Sequence, residues 1–323
     1  MVSPGILARA RRRTEPRIAR RTAVRSTVFA IGGSLCLALF GSGEAPGFTV
    51  DDKYHVYRDG ALDAAATLAA APRWDARAGA TRGLAEGIQV AIQPGFLQAL
   101  APGPGQESQV REVLLAAFVA WESPVIAFEI RWSEPVAAGP DRWSELEVSA
   151  VASDDPRLAG TGLYGLTRFK VDHRANRTLT NGEILPGDAI VGADLIIAAD
   201  LILRATAPLS PDQQLAVMKR LLMHEIGHVF GLDHPNEFPN ANLLGVPAGS
   251  DDRGAVPAGS LTGFRQSSNV NIDAIMSTAP TFPGALLDTL QPDDIAGRNA
   301  LYPIKAGPRT KAIPASPAAQ RPN

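Results

Sequence analysis

Apolar positions repeat at helical spacing over Glu107–Trp121 (ESQVREVLLAAFVAW). Val110, Val113, Leu114, Ala117 and Phe118 share one face and Trp121 closes the stripe, which predicts a helix. Gly87–Gln93 (GIQVAIQ) alternates apolar and polar residues and predicts a strand. Val125–Trp132 (VIAFEIRW) and Gly160–Val171 (GTGLYGLTRFKV) predict two more. Ile190–Leu203 (IVGADLIIAADLIL) reads as one long apolar strand carrying Asp194 and Asp200. A second long helix opens at Ser210-Pro211-Asp212-Gln213. Ser210 caps it, Pro211 suits its first position and Gln213 completes a capping box. Its buried stripe is Leu215, Met218, Leu222, Ile226 and Val229, and Gly231 stops it because glycine accepts the left-handed conformation that ends helices. Strands mixed with a few long helices predict an α+β domain.

Composition and charge alter this picture mainly at the two ends. The chain has 323 residues, 45% hydrophobic and 20% charged, which excludes a collagen, a coiled coil or a mainly disordered protein. Residues 1–25 hold eight arginines and one acid, a net +7, while the remainder carries 23 basic and 32 acidic residues, a net −9. The apolar stretch Ser26–Phe40 follows, shorter than the roughly 20 residues that span a bilayer, and then the small residues Gly41, Ser42 and Gly43. This order predicts an export signal over residues 1–43 and a protein that is secreted or held in the cell envelope; an uncleaved membrane anchor is the other reading. Residues 44–73 read as a lead-in or short pro-region, 74–304 as the folded domain, and 305–323, rich in Pro and Ala, as a disordered tail. The near-neutral net charge of −2 argues against nucleic acid as a partner. Cys36 is the single cysteine, so any metal site must draw on His, Asp or Glu.

The chemistry is concentrated at the end of the second helix, in His224-Glu225-Ile226-Gly227-His228. Residues four apart on a helix share a face, so His224 and His228 can hold one metal ion, and Glu225 beside them can act on water there. The chain turned by Gly231 can deliver His234 as a third nitrogen ligand. Three histidines leave a fourth position open, the arrangement of a catalytic rather than a structural zinc site. Only five histidines occur in the chain, and three of them lie within eleven residues at ligand spacing.

The run His224-Glu225-x-x-His228-x-x-Gly231-x-x-His234 resembles the zinc signature of the metzincin metallopeptidases. Met276, in Ile275-Met276-Ser277, stands where that superfamily has its methionine turn beneath the metal. Within the metzincins the chain is most similar to the matrixins. Leu290 to Tyr302, containing Asp293 and Asp294, resembles their last helix, and Leu163-Tyr164-Gly165-Leu166-Thr167 resembles the edge strand above the zinc. The resemblance implies a zincin-like catalytic domain over residues 74–304: a mixed twisted sheet, an active-site helix, a Met-turn and a C-terminal helix. It further implies a zinc endopeptidase whose partner is a protein or peptide substrate, with Glu225 as general base and His224, His228 and His234 as ligands. A substrate would pair with the Gly160–Phe169 edge, and residues Thr278–Leu287, including Phe282 and Leu286, would wall a side-chain pocket. Pro235 in place of the usual serine, the missing latency cysteine and the long stretch Pro235–Asn271 depart from the matrixin pattern.

Calcium is a second implied cofactor, with Asp188, Asp194 and Asp200 as candidate oxygen ligands; acids capping strands and turns would read the same. A zinc-containing binding or adhesion protein without turnover is the competing function, and retention of Glu225 disfavours it, because a structural site needs no general base. A membrane-tethered peptidase differs from the first reading only in the fate of residues 1–43.

Overall fold

A computed structural model describes residues 48–76, 84, 87–132, 144–173, 176–237, 242–244, 265–267, 274–277 and 289–303. The chain divides into two units, residues 1–43 and 44–323, and every described residue belongs to the second. The expected export signal, the expected tail, the Thr278–Leu287 pocket wall and most of the Pro235–Asn271 stretch lie outside the described residues.

Along the chain, β1 (Thr49–Val50), a short 3-10 turn, β2 (Tyr57–Arg58), β3 (Ala61–Leu62) and α1 (Ala64–Ala70) lead to β4 (Arg73–Trp74). Then come β5 (Ile88–Ile92), α2 (Phe96–Leu100), α3 (Glu107–Trp121), β6 (Phe128–Trp132), β7 (Leu146–Val151) and β8 (Gly165–Asp172). The hairpin of β9 (Asn176–Thr178) and β10 (Ile184–Pro186) precedes β11 (Ala189–Ala198), α4 (Ala199–Thr206) and α5 (Pro211–Val229). β12 (Leu232–Asp233), β13 (Asn242–Leu244), β14 (Arg265–Ser267) and α6 (Pro292–Leu301) complete the described elements.

The main sheet runs β4-β11-β7-β5-β6 with these neighbours parallel, and β8 lies antiparallel on β11. The architecture is therefore mixed α/β, with a mostly parallel sheet and several helices, compatible with the expected α+β class. Among the described residues β8 pairs with β11 alone and so forms an edge. Parallel strands need crossovers, and α2 with α3 fills the one between β5 and β6. β5 is buried at all five positions, including Gln89, so the alternation in its sequence does not mark a wet face. The Gln89 N–H donates to the carboxylate of Glu145 at 3.0 Å, which satisfies one of the polar groups buried there.

α3 spans the residues its apolar stripe predicts, and its buried face is Val110, Leu114, Ala117, Phe118 and Trp121. It packs against α5, whose whole predicted stripe from Leu215 to Val229 is buried. The Ser210 capping box is formed. Burial of a side chain such as Leu222 or Ile226 contributes about 1.5–3 kcal/mol. Among the described residues no helix is long and apolar enough to cross a membrane.

Three sequence expectations change. The Ile190–Leu203 run is not one strand: β11 ends at Ala198 and α4 begins at Ala199. A continuous apolar run carries no periodicity that separates the two states, and here Ile202 goes into the core while Arg204 faces solvent. The strands expected from Val125 and Gly160 begin later, at Phe128 and Gly165. The lead-in is built into the domain. Phe48, Val50, Leu62, Leu68 and Ala71 join the main core, β1 pairs with β12, and β4 is a strand of the sheet.

Candidate metal centre

His224 and His228 lie one turn apart near the C-terminal end of α5, and the chain must reverse to bring His234 to them. Gly231 makes that reversal at φ +85°, and a Cβ there would lie 2.7 Å from the Pro72 carbonyl oxygen. Glycine is thus required twice, for the left-handed backbone and for the close approach. Two orphan carbonyls at this helix end are taken up by aromatic side chains. The Trp74 indole N–H donates to the Val229 carbonyl at 2.9 Å, and the Tyr302 hydroxyl donates to the Phe230 carbonyl at 3.0 Å.

The three Nε2 atoms come within 2.9, 3.1 and 3.2 Å of one another. Each ring is oriented through its other nitrogen. His224 Nδ1 donates to the Ile275 carbonyl at 2.7 Å, and His228 Nδ1 to the Leu232 carbonyl at 2.8 Å. His234 Nδ1 lies 3.0 Å from Glu237 Oε1. A carbonyl can only accept, so these contacts put the ring proton on Nδ1 and leave the Nε2 lone pairs facing one another. Burial, with the neighbouring imidazoles, holds His224 well below the ordinary histidine range, and burial and His228 lower His234, which favours the neutral form of both rings. Three converging lone pairs without a donor between them repel unless a cation sits among them. A triangle of this size has corners about 1.8 Å from its centre, so one ion can stand at the zinc–imidazole distance of about 2.0–2.1 Å from all three. Among the described residues this is the one group of three or more His, Cys, Asp or Glu side chains able to hold a metal ion. The residues present fit a metal.

Met276 is buried under α5 at Gly227, where an added Cβ would come within 2.8 Å of Trp121 and would overlap the Met276 sulfur. The turn carrying Met276 is held by α6. One carboxylate, Asp294, accepts the N–H groups of Ile275 at 3.0 Å, Met276 at 3.1 Å and Gln291 at 2.8 Å. Burial raises the Asp294 pKa and these three N–H groups oppose the rise. Because the Ile275 carbonyl orients His224, Asp294 holds the His224 ring in place through one intervening residue. The sequence offers Asp294 as part of a helix signature; its role needs the tertiary contact.

Glu225 is 4% exposed and stands on the wall of a cavity of about 470 Å³ that also reaches all three histidines. Burial raises its pKa, and the nearby His228 ring and a hydrogen bond from Thr167 oppose the rise. Leu166, Ile202, Val217 and Leu221 give much of the cavity an apolar lining, and Leu163 and Tyr164 at its rim are solvent-exposed apolar side chains.

The three aspartates considered for calcium are not brought together. β11 separates Asp188 from Asp194 by six residues, about 20 Å of extended chain. Asp188 accepts from the Tyr54 hydroxyl and from His173 Nδ1, both at 2.8 Å. Asp200 accepts from the Ser153 N–H and hydroxyl, both at 2.7 Å, and from Arg204 at 3.1 Å. Asp188 therefore ties the Tyr54 and His173 side chains together, and Asp200 caps the chain that leaves β7 at Ser153. No family model matches the chain, and a search of curated proteins finds no match to it.

Proposed function

We propose that this chain is a zinc-dependent endopeptidase of the metzincin type, closest in its motifs to the matrixins, acting outside the cell or in the cell envelope. The observation that carries the reading is the convergence of three Nε2 lone pairs beside a buried carboxylate on the wall of an open cavity. A closed structural site would have no use for Glu225 or for the cavity. His224, His228 and His234 would hold the ion, which would supply Lewis-acid chemistry toward the peptide carbonyl and the attacking water. Glu225 takes the proton from the attacking water and delivers it to the leaving amine nitrogen. Among the described residues β8 pairs only with β11, and an extended peptide would add to its other edge as a further strand, placing its scissile bond over the histidines. The apolar cavity walls receive a side chain of that peptide and exclude water around Glu225.

The test is cleavage of a peptide library by the purified, zinc-loaded chain beside Glu225→Ala. The expected result is cleavage that falls about 10²- to 10⁴-fold in the variant while zinc is retained. A folded, zinc-loaded protein that cleaves nothing, or a variant as active as the wild type, would overturn the reading.

A further inference from the structure

Two residues of β8 touch Glu225 without taking part in the histidine cluster. Residues two apart on a strand present the same face, and Gly165 and Thr167 present theirs to Glu225. The Thr167 hydroxyl lies 2.8 Å from Glu225 Oε2 and 2.9 Å from the Glu225 backbone carbonyl. At Gly165 an added Cβ would stand 2.7 Å from Glu225 Cδ and 2.8 Å from its Cγ, inside any carbon–carbon contact distance. The ladder fixes both positions, with Gly165 opposite Ile197 and Thr167 opposite Leu195 on β11.

We propose that Thr167 is a positioning residue for Glu225, and that Gly165 is the clearance its carboxylate needs. This rests on the peptidase reading above. A glutamate side chain has three rotatable bonds, and freezing them costs on the order of 1.5–2 kcal/mol. A general base must nevertheless be held within hydrogen-bond reach of the proton it takes. The single hydroxyl proton is shared between two acceptors of the same residue, the carboxylate and the backbone carbonyl, which places the carboxylate relative to the α5 backbone that carries His224 and His228. With Oε2 bound to Thr167, Oε1, which lies over Gly165 on the cavity wall and has no hydrogen-bond partner among the described residues, is the oxygen left to meet water. The hydroxyl is small and sits on a rigid strand, and in the ionised form that a general base requires Glu225 accepts from it the class of hydrogen bond that contributes most.

The test uses the full zinc-loaded chain and Thr167→Val, Thr167→Ser and Gly165→Ala. Valine keeps the shape and removes the hydroxyl. The expected result for Thr167→Val is a kcat lower by about 10- to 100-fold, with KM and zinc content unchanged. Serine should restore kcat to within a few-fold. Gly165→Ala should lower kcat with the metal retained, because the carboxylate is displaced rather than removed. A packing role alone would not separate kcat from KM, nor be rescued by serine. Crystal structures of the zinc-loaded wild type and Thr167→Val give a readout free of activity: the carboxylate should turn out of place in the variant. Full kcat in Thr167→Val, or a Glu225 carboxylate left where the wild type holds it, would overturn the proposal. If the wild type cleaves no peptide, the functional reading fails, and the carboxylate position in the variant crystal still decides the positioning role.

Discussion

The histidine cluster is half-buried and the pair Arg73–Arg177 fully buried; both are polar, yet they are built in opposite ways. In the first, three acceptors converge on one point and every ring is tied from behind. In the second, donors diverge to the chain. Arg73 donates to the Leu68 carbonyl at 2.6 Å, and Arg177 donates to the Asp188 carbonyl at 2.6 Å and to the Ala69 carbonyl. Burial opposes both guanidinium charges, and at Arg73 the Arg177 charge adds to it. Among the described residues the Nε atoms of both, and Nη1 of Arg73, have no hydrogen-bond partner. The contrast teaches what each cluster is for. Convergent lone pairs are incomplete without a cation and so describe a binding site. Divergent donors fasten α1 and the segment before β11 to one another and describe a staple within the fold.

The largest expected effect separates the two directly. Chelation should lower the apparent stability of the zinc-loaded chain by about 4 kcal/mol where free zinc stands at a thousand times its Kd, read as a shift in thermal unfolding. His228→Ala should abolish that shift, because the metal is no longer bound. Arg177→Met comes next, at about 3 kcal/mol of destabilisation, since carbonyls at Ala69 and Asp188 lose a charged donor inside the protein. Zinc affinity should not change in that variant, and a parallel loss of zinc would break the comparison. Asp294→Ala should cost about 2 kcal/mol and also weaken zinc about 10- to 100-fold, because it releases the turn whose carbonyl orients His224. Denaturant unfolding and competitive zinc titration measure the two losses.

The smallest effect is one of pH. Burial raises the pKa of Tyr302, and burial with the Asp188 hydrogen bond raises that of Tyr54, above the ordinary value near 10. Above pH 10 the unfolded chain releases these protons while the folded chain keeps them. Their contribution is therefore complete below pH 10 and is lost as pH rises beyond it. Tyr302→Phe should cost about 1 kcal/mol at neutral pH, from the lost hydrogen bond, and should flatten the decline above pH 10. Urea titrations from pH 8 to about 11 read both.

The histidine cluster was legible because its ligands are close in sequence and helix geometry places them. α3 and α5 were legible for the same reason: a stripe repeating at helical spacing is local information. The arginine cluster was not, since Tyr54, Arg73, Arg177 and Asp188 meet only once the sheet has formed. Asp294 and Thr167 belong to this second kind. Each touches the site through a long-range contact, at a separation of 18 residues for Asp294 to Met276 and 58 for Thr167 to Glu225. The run through Ala198 failed for a different reason, because consecutive apolar residues suit a buried strand and a packed helix equally. β5 gave a strand and concealed its surroundings, because both faces of a parallel strand are covered.

Whether three imidazole nitrogens share one metal ion is read by zinc-edge X-ray absorption on the purified, zinc-loaded chain. The expected spectrum shows one zinc per chain with three imidazole nitrogens and one further light ligand at about 2.0–2.1 Å, a signal lost in His228→Ala. A chain that retains no zinc, or zinc held by oxygen ligands without imidazole, would contradict it.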